Sequence, residues 1–243
     1  MTFSILLVPF LVSLGFWQLS REREKISIQT KYAMREVMPA RSFDAVPWDD
    51  QDLDYLVVKA KGRFDNQKTF LLDNKINQGH VGFEVISPYI TESAKLLFVN
   101  RGWIAQGATR LDLPSIETME GGIQIQGSIY VPTGKQFMLG EETWSDPLSS
   151  THWPKIIQSI DLEQMSKVFS TDEFDYPVFP YTVRLSNSSP GSLTPNWQPV
   201  SMQAEKHRAY AVQWFMMALV LTILTIYSTI DRERKAPLTN KAL

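Results

Sequence analysis

The chain contains no cysteine among its 243 residues. Without a thiol it can form no disulfide bond, no zinc–thiolate site and no cysteine nucleophile, and it cannot attach haem covalently through a Cys-x-x-Cys-His motif. The missing cysteines say little about the cellular compartment, because proteins without disulfides occur in every compartment.

An excess of positive charge is also missing. The chain carries 24 basic and 26 acidic residues, a net charge of −2, and so lacks the basic footprint of a nucleic-acid-binding protein. It has no phosphate-binding glycine loop and no Gly-x-Ser-x-Gly motif. The acidic run at 49–54 lacks the glycine and the closing glutamate of an EF-hand, so we interpret it as a solvated loop. We predict that the protein is not an enzyme and does not bind nucleic acid.

Two long uncharged runs are present, one near each end of the chain, at 2–20 and 209–230. As helices they would measure roughly 28 and 33 Å, which matches the hydrocarbon thickness of a bilayer. The first run lacks the basic start and the small-residue cleavage site of a signal peptide, so we expect an uncleaved anchor. The predicted organisation is a membrane helix at 1–20, an extramembrane domain at 21–208, a second membrane helix at 209–230 and a tail at 231–243.

Two spans place both chain ends on one side of the membrane and the domain on the other. More Lys and Arg residues lie near the spans on the domain side (Arg21, Arg23, Lys25, Lys31, Arg35, Lys206, Arg208) than on the tail side (Arg232, Arg234, Lys235, Lys241). This count favours a cytoplasmic domain, although the positive-inside rule is weak across a loop of this length.

The segment between the spans is rich in β-branched and aromatic residues separated by turn residues. The predicted strands are 55–64, 68–76, 80–90, 95–105, 121–131 and 181–187, and one helix is predicted at 156–169 from Leu162, Met165 and Val168. Strands that follow one another closely indicate an antiparallel sheet or barrel. The predicted fold class is membrane α+β, with two membrane helices flanking a mainly antiparallel β domain that contains one or two helices.

The end of the first span reads "LGFWQLSREREK". On a helix, Leu14, Trp17, Gln18, Arg21 and Lys25 lie at offsets 0, 3, 4, 7 and 11 and share one face. Along this face an apolar stripe gives way to an aromatic ring, then an amide, then two cations, as it crosses the membrane–water interface.

The start of the second span reads "EKHRAYAVQWF". His207, Tyr210, Ala211, Trp214 and Ala218 repeat the same offsets of 0, 3, 4, 7 and 11. Because the two spans form a hairpin, both edges lie on the same side of the membrane and can touch. We expect His207 at an exposed rim position, where an ionisable residue is costly and tends to mark function.

The residue types at these two edges fit the requirements of haem. A neutral imidazole can bind the iron, aromatic rings can pack on the porphyrin, and Arg or Lys can pair with propionates. The alternative is that Trp17, Tyr210 and Trp214 form an aromatic belt while the nearby cations act as snorkelling anchors. His207 does not fit this alternative, because histidine is not a favoured belt residue.

Taken together, "LGFWQLSREREK", "VNRGWI" (99–104) and "EKHRAYAVQWF" resemble the Surfeit locus protein 1 family, assembly factors of haem-copper cytochrome c oxidase. The likeness runs nearly end to end, with the motifs in the same order. The resemblance implies that His207 corresponds to the family histidine proposed to hold haem, and that Trp214 and Phe215 correspond to the family's Trp-Phe pair. Some members carry Asn where this chain has Glu205 or Lys206.

The resemblance further implies a two-span protein of the bacterial inner membrane, with a periplasmic domain and both termini in the cytoplasm. It would bind haem a non-covalently and assist its insertion into oxidase subunit I, with haem a synthase as a second partner besides membrane lipid. The residues expected to bind the cofactor are His207, as axial iron ligand, Trp214, Tyr210, Trp17, Gln18, Arg21 and Lys25. The rival hypothesis is a haem-free membrane-anchored scaffold that holds an oxidase subunit during assembly.

Two further groups of residues receive structural interpretations. In the central motif we expect a tight turn after strand "KLLFV", in which Gly102 adopts a left-handed conformation, Asn100 caps the strand and Trp103 packs back onto the sheet. His80 and His152 are isolated in sequence, and we interpret both as surface or structural histidines.

Overall fold

The long uncharged runs form long helices, and the β-branched segment between them forms strands. The computed structural model describes residues 2–107, 112–132, 153–167, 169, 176–198, 200 and 203–235. Its elements are α1 (Thr2–Glu36), β1 (Arg41–Ser42), a short 3-10 helix (Phe43–Ala45), β2 (Val57–Phe64), β3 (Phe70–Asn77), β4 (His80–Thr91), β5 (Leu96–Ala105), β6 (Ile123–Tyr130), β7 (Lys155–Ile157), α2 (Leu162–Lys167), β8 (Val178–Leu185) and α3 (Ala204–Lys235). The chain divides into a helical unit, residues 1–32 and 198–243, and a β unit, residues 33–197.

The helical unit contains two helices that are long and apolar enough to cross a membrane, over Ser4–Glu36 and Ala204–Arg232. Only 11% of the most apolar part of either helix is buried within the protein, so most of its apolar surface faces outward. A membrane helix requires this distribution, because lipid rather than protein covers its side chains. The two predicted spans are confirmed as helices, and each helix continues beyond its predicted span: α1 runs on through the charged segment to Glu36.

The strands of the β unit close into a small barrel. Around the ring, β2 pairs with β6, β6 with β8, β8 with β5, and β5 with β4. Pairing of β2 with β4, at Gly62↔Thr91 and Phe64↔Tyr89, completes the circuit. Outside the ring, β1 pairs with β2, β3 pairs with β4, and β7 pairs with the outer edge of β3. Of the two predicted alternatives, sheet or barrel, the structure contains the barrel, and most described pairings are antiparallel as predicted.

Alternation along β5 separates two hydrophobic cores. Leu97 and Val99 belong to the core to which all five ring strands contribute. Leu96 and Phe98 point the other way, into a second core with Phe70 and residues of α2. All four side chains are buried, because both faces of this strand are covered and the period of two places neighbouring residues on opposite faces.

Tyr89 is a polar residue inside the first core. Its hydroxyl donates to the carbonyl oxygens of Ile123 at 2.6 Å and Ala60 at 3.1 Å. Burial raises the pKa of the Tyr89 phenol far above its usual value, with a smaller contribution from the charge of Glu92. The phenol therefore stays protonated and remains a hydrogen-bond donor that links β4 to β2 and to the first residue of β6.

The predicted helix at 156–169 is wrong in its first half. Residues Lys155–Ile157 form β7, parallel to β3, because Ile156 pairs with Leu71 in the sheet. Helix α2 begins only at Leu162, after Asp161, whose carboxylate accepts a hydrogen bond from the Gln164 amide at 3.1 Å in the manner of an N-cap. Val168 lies outside the described residues. The six predicted strands are all present, with ends within three residues of those expected.

The central "VNRGW" motif forms a bulge in β5 and not the predicted tight turn. The register shifts opposite Val85 and Ile86. Gly102 has φ of +124°, and a Cβ atom there would lie 2.8 Å from the Thr194 carbonyl oxygen. The buried Asn100 side chain accepts from the Gly102 amide at 3.2 Å and donates to Glu84 at 2.7 Å. The positive φ predicted at Gly102 is confirmed, whereas the predicted turn is wrong, because the strand continues through the motif to Ala105.

Candidate functional site

The candidate site lies in the helical unit, where α1 and α3 pack closely. Ala204, Ala211 and Ala218 recur every seven residues on α3 and are all buried. On α1, a Cβ atom added to Gly15 would lie 2.4 Å from the ring of Phe215. Small residues at such an interface allow two membrane helices to approach each other, so that van der Waals contacts can hold them together. We call this contact surface the helix seam.

His207 lies within the helix seam, one turn along α3 from Ala204. Its Nδ1 is 2.8 Å from Oε1 of Gln18 on α1. Because an amide oxygen only accepts hydrogen bonds, Nδ1 is the donor in this contact, and in a neutral imidazole Nε2 then carries the lone pair. Nε2 is buried and has no hydrogen-bond partner among the residues that the structure describes. The contact therefore fixes both the ring orientation and the tautomer of His207.

This arrangement matches the chemistry of a metal-binding histidine. A histidine that binds a metal donates its other ring N–H to a nearby acceptor, which orients the ring and raises the basicity of the ligating nitrogen. Gln18 supplies that acceptor for His207. The accessible surface of Nε2 is below 1 Å², so an iron would reach it only after side chains in the helix seam move aside. An imidazole nitrogen is nevertheless a ligand type that haem iron accepts.

Charged residues surround the seam at the level of His207. Arg208 of α3 pairs with Glu22 of α1, with 3.6 Å between Nε and Oε1. Arg21 pairs with Glu24 of its own helix at 2.7 Å and its guanidinium carbon lies 5.7 Å from the centre of the Trp17 ring. Exposed pairs of this kind contribute little stability, so Arg21 can exchange Glu24 for another anion at little cost.

The two predicted residue stripes are only partly brought together. His207 and Gln18 meet in the helix seam, and the imidazole is not on an exposed rim as expected from the sequence. Trp17 and Tyr210 are 51% and 47% exposed, as aromatic residues facing lipid or a ligand would be. Two further predicted residues, Trp214 and Lys25, are half-buried. The structure thus brings His207 into contact with Gln18 and leaves the rings of Trp17 and Tyr210 on the outer surface.

Sequence reasoning did not identify which residues form the contact between α1 and α3. Gly15, Phe215 and the Glu22–Arg208 pair connect α1 and α3, and Phe16 packs edge-on against Phe215 at 5.3 Å. The seven-residue repeat of buried alanines on α3 was the available signal, because that spacing keeps one face of a helix against a partner helix.

Other candidate ligands lie elsewhere or form no cluster. His80 is exposed at the start of β4, and His152 lies outside the described residues. Within the described ranges no group of three or more His, Asp or Glu side chains is arranged to hold a metal ion. In the acidic run at 49–54, interpreted as a solvated loop, Asp49, Asp50 and Asp52 are exposed and Asp52 pairs with Arg35, whereas Leu53 is buried in the core and Asp54 is half-buried.

Comparison with known proteins finds relatives over most of the chain. The model of the SURF1 family matches residues 5–219. Surfeit locus protein 1 of Gallus gallus is 24% identical over 237 residues, which cover 90% of this chain and 72% of that protein. The SURF1-like protein of Rickettsia felis is 25% identical over 231 residues, covering 91% of this chain and 94% of the relative. Surfeit locus protein 1 of Homo sapiens is 22% identical over 237 residues, covering 90% and 74% respectively.

Proposed function

The chain belongs to the SURF1 family, and from this membership we propose that it is an assembly factor for haem-copper cytochrome c oxidase. In this proposal it holds haem a at the membrane edge and assists its insertion into subunit I, without catalytic turnover. The observation that supports haem binding is the half-buried imidazole of His207, whose Nδ1 contacts Gln18 while the buried Nε2 atom has no hydrogen-bond partner among the described residues.

Each residue at the helix seam has a separate role in the proposal. His207 offers the Nε2 lone pair to the iron, and Gln18 keeps the proton on Nδ1. The half-buried and exposed rings of Trp214, Tyr210 and Trp17 supply apolar surface for the porphyrin. Arg21 and Lys25 supply cations for the propionates, and Arg21 exchanges its weak pair with Glu24 to do so.

Non-covalent binding through one protein ligand suits a protein that must pass its cargo on. Without cysteine the chain has no covalent hold on the porphyrin. The iron–imidazole bond and a few exposed ion pairs can be replaced, one after another, by the ligands of the receiving subunit. Subunit I, with haem a synthase as the donor, is therefore the proposed partner, and membrane lipid surrounds the helices.

We place the protein in the bacterial inner membrane, with the β unit in the periplasm and both termini in the cytoplasm. The two apolar helices and the bacterial relatives support a two-span membrane protein, and the orientation follows the family likeness against the charge count. A reporter active only in the periplasm should be active when inserted after Gln106 and inactive after Leu243. The reverse pattern would refute this orientation.

The haem proposal is tested with the full chain purified in detergent after co-expression with haem a synthesis. The wild-type protein should show a Soret band and yield haem a on extraction. His207→Ala should lose most of this pigment, because alanine provides no lone pair for the iron. His80→Ala is the matched control, since His80 is exposed on the β unit, and it should retain the pigment.

Because His207 packs in the helix seam, a second variant separates ligation from folding. Gln18→Leu leaves the imidazole in place but removes the acceptor for Nδ1, so it should weaken pigment binding and shift the absorption bands without emptying the site. Melting temperatures of all variants, measured without haem, identify any that simply unfold.

The scaffold hypothesis predicts a different outcome. The burial of Nε2 is the observation that favours it, since a histidine closed within a helix interface can serve helix packing alone. In that case wild-type protein would carry no pigment under haem a synthesis. Full haem occupancy in His207→Ala would show instead that the site lies elsewhere in the chain.

A further inference from the structure

A second candidate binding site lies in the β unit, independent of the proposed haem function, and is centred on Arg101. This residue is on β5, in the "VNRGW" bulge, and only 2% of it is exposed. Its Nε donates to the Gly191 carbonyl oxygen at 2.7 Å, and one terminal nitrogen, Nη2, donates to the Glu117 carbonyl oxygen at 3.0 Å. The guanidinium also lies over the Phe64 ring at 5.3 Å. The other terminal nitrogen, Nη1, makes no hydrogen bond to any residue that the structure describes.

The buried guanidinium of Arg101 has one carboxylate in its vicinity, that of the exposed Glu117, but makes no ion pair with it. Both of its acceptors are neutral carbonyl oxygens, and within the described part of the chain it forms no ion pair with a carboxylate. Burial lowers the pKa of Arg101, and the nearby charge of Glu117 opposes this only in part. Buried charges are normally paired, because removing an isolated ion from water is costly. Direct contact with an anion would therefore stabilise the Arg101 cation.

The guanidinium borders a cavity of about 300 Å³. The cavity wall combines hydrogen-bonding side chains with apolar surface: Asn66, Thr69, Ser115, Ile116 and Trp153. The exposed Glu117 also lines the cavity, so the wall contains one carboxylate besides the Arg101 cation. Thr69 is buried, and its hydroxyl contacts the Ser87 hydroxyl at 3.4 Å. Asn66 holds the wall in place through two hydrogen bonds with the main chain of Met119, each 3.0 Å long.

We propose that this cavity binds a small organic carboxylate, with the free edge of the Arg101 guanidinium as the recognition element. An arginine fork matches the two oxygens of a carboxylate in geometry and charge. A single buried positive charge neutralises a single negative one, which favours a monoanionic carboxylate over a dianionic phosphate. The body of the ligand would contact the apolar wall formed by Ile116 and Trp153. The volume lies at the small end of ligand pockets, which limits the occupant to a compact molecule.

The proposal is tested with benzoate as the probe, on the full chain in detergent. Benzoate should bind saturably by calorimetry and raise the melting temperature of the β unit with increasing concentration, since a ligand that binds only the folded state stabilises it. Benzamide, which has the same shape without the charge, and phosphate should have no such effect at equal concentration and ionic strength. A response to phosphate equal to that to benzoate would refute a carboxylate site.

Two variants locate the binding. Ser115 is an exposed residue at the rim of the cavity, so Ser115→Trp should fill the cavity and weaken benzoate binding by about tenfold or more. Ser188→Trp is the control: Ser188 is exposed but lies outside the cavity, so this variant should bind benzoate as the wild type does. Arg101→Lys keeps the charge but loses the fork and should also weaken binding. If Arg101→Lys fails to fold, Ser115→Trp still tests the proposal. Undiminished benzoate binding by Ser115→Trp would overturn it, and so would the absence of saturable binding by the wild type.

Discussion

The helical unit and the β unit use the same kinds of apolar side chain in opposite ways. In the β unit Leu97 and Phe98 are fully buried, whereas in the helical unit Leu6 is 75% and Tyr227 71% exposed. Burial of apolar surface within the protein is the main force that folds the β unit in water. The helices bury little of theirs, so lipid must cover it, and contacts at the helix seam rather than the hydrophobic effect must hold α1 against α3. The chain therefore contains two parts suited to two solvents: the β unit to water and the helical unit to lipid.

Buried polar groups differ between the two units as well. In the β unit, Asn100 and Glu84 satisfy each other at 2.7 Å. Arg184 has a buried Nε without a hydrogen bond, but its guanidinium is stacked on Tyr130 at 3.5 Å and on Trp197 at 5.2 Å. In the helical unit, Nε2 of His207 has no hydrogen-bond partner among the described residues, while Nδ1 of the same ring contacts Gln18. Among the described residues, the two units thus differ in the kind of buried polar atom that lacks a hydrogen bond: a guanidinium nitrogen stacked on two rings in the β unit, and an imidazole nitrogen in the helical unit.

The largest effect should come from removing a buried ring in the β unit. Phe98 is fully buried and packs edge-on against Phe70 and Phe169, with ring centres 6.1 and 6.0 Å apart. Phe98→Ala should lower the free energy of unfolding by about 3–5 kcal/mol, because it loses apolar burial and leaves a cavity. Denaturant unfolding of the full chain in detergent, monitored on the β unit, measures this change.

The matched variant in the helical unit is Ile226→Ala. Ile226 is 55% exposed on α3, so the substitution removes a contact with lipid or detergent and should change the same free energy by less than about 0.5 kcal/mol. Comparable losses from both substitutions would contradict the division of the chain into parts built for two solvents.

A smaller effect is expected from adding a methyl group at two tightly packed glycines. A Cβ atom at Gly62 would lie 2.1 Å from the Ile90 carbonyl oxygen, which is fixed in the barrel, whereas one at Gly15 would meet the outer atoms of the Phe215 ring. Gly62→Ala should therefore cost about 1–3 kcal/mol. Gly15→Ala should stay within about 1 kcal/mol, because the gain in helix propensity offsets a displaced ring.

Melting of the barrel and of the helix pair, followed in the same two variants by near-ultraviolet and far-ultraviolet circular dichroism, provides the measurement. A larger loss for Gly15→Ala than for Gly62→Ala would mean that the helix seam is the more rigid of the two interfaces.

The smallest effect is a pH dependence confined to the β unit. Hydrogen bonds from the Ser93 hydroxyl and the Lys95 ammonium, with the charge of Lys95, lower the pKa of Asp44 below its usual value. A lowered pKa stabilises the folded state above the unfolded pKa of about 3.9, and this stabilisation is lost as the pH falls through the folded value. Because the Asp44 side chain is 56% exposed, the effect should be under about 1 kcal/mol.

Asp44→Asn tests this dependence. The variant should be less stable than the wild type at pH 7, and the difference in melting temperature should shrink as the pH is lowered toward 3. A difference that stays constant over this range would show that Asp44 contributes through hydrogen bonding alone and not through its charge.

Much of the candidate site was visible in the sequence, but its geometry was not. The spacing of "EKHRAYAVQWF" and "LGFWQLSREREK" identified His207 and Gln18 as residues at the membrane edge that can approach each other. Helical offsets describe faces of single helices, so they grouped His207 with Tyr210 and Trp214. They contain no information on which of these residues faces the other helix. That choice depends on Gly15 and the buried alanines of α3, which determine how α1 and α3 pack.

By itself, the sequence determined the two long apolar helices, the strand-rich segment between them and the family likeness, because periodicity and local motifs depend on residues close together in the chain. The tertiary structure decided that the strands close into a barrel through the pairing of β2 with β4, that Ile156 belongs to a strand, and that the imidazole of His207 is turned toward Gln18. It also decided that Arg101 borders a cavity without a carboxylate partner among the described residues. Each of these features joins residues that are far apart in sequence, and their free energies depend on packing that no local pattern encodes.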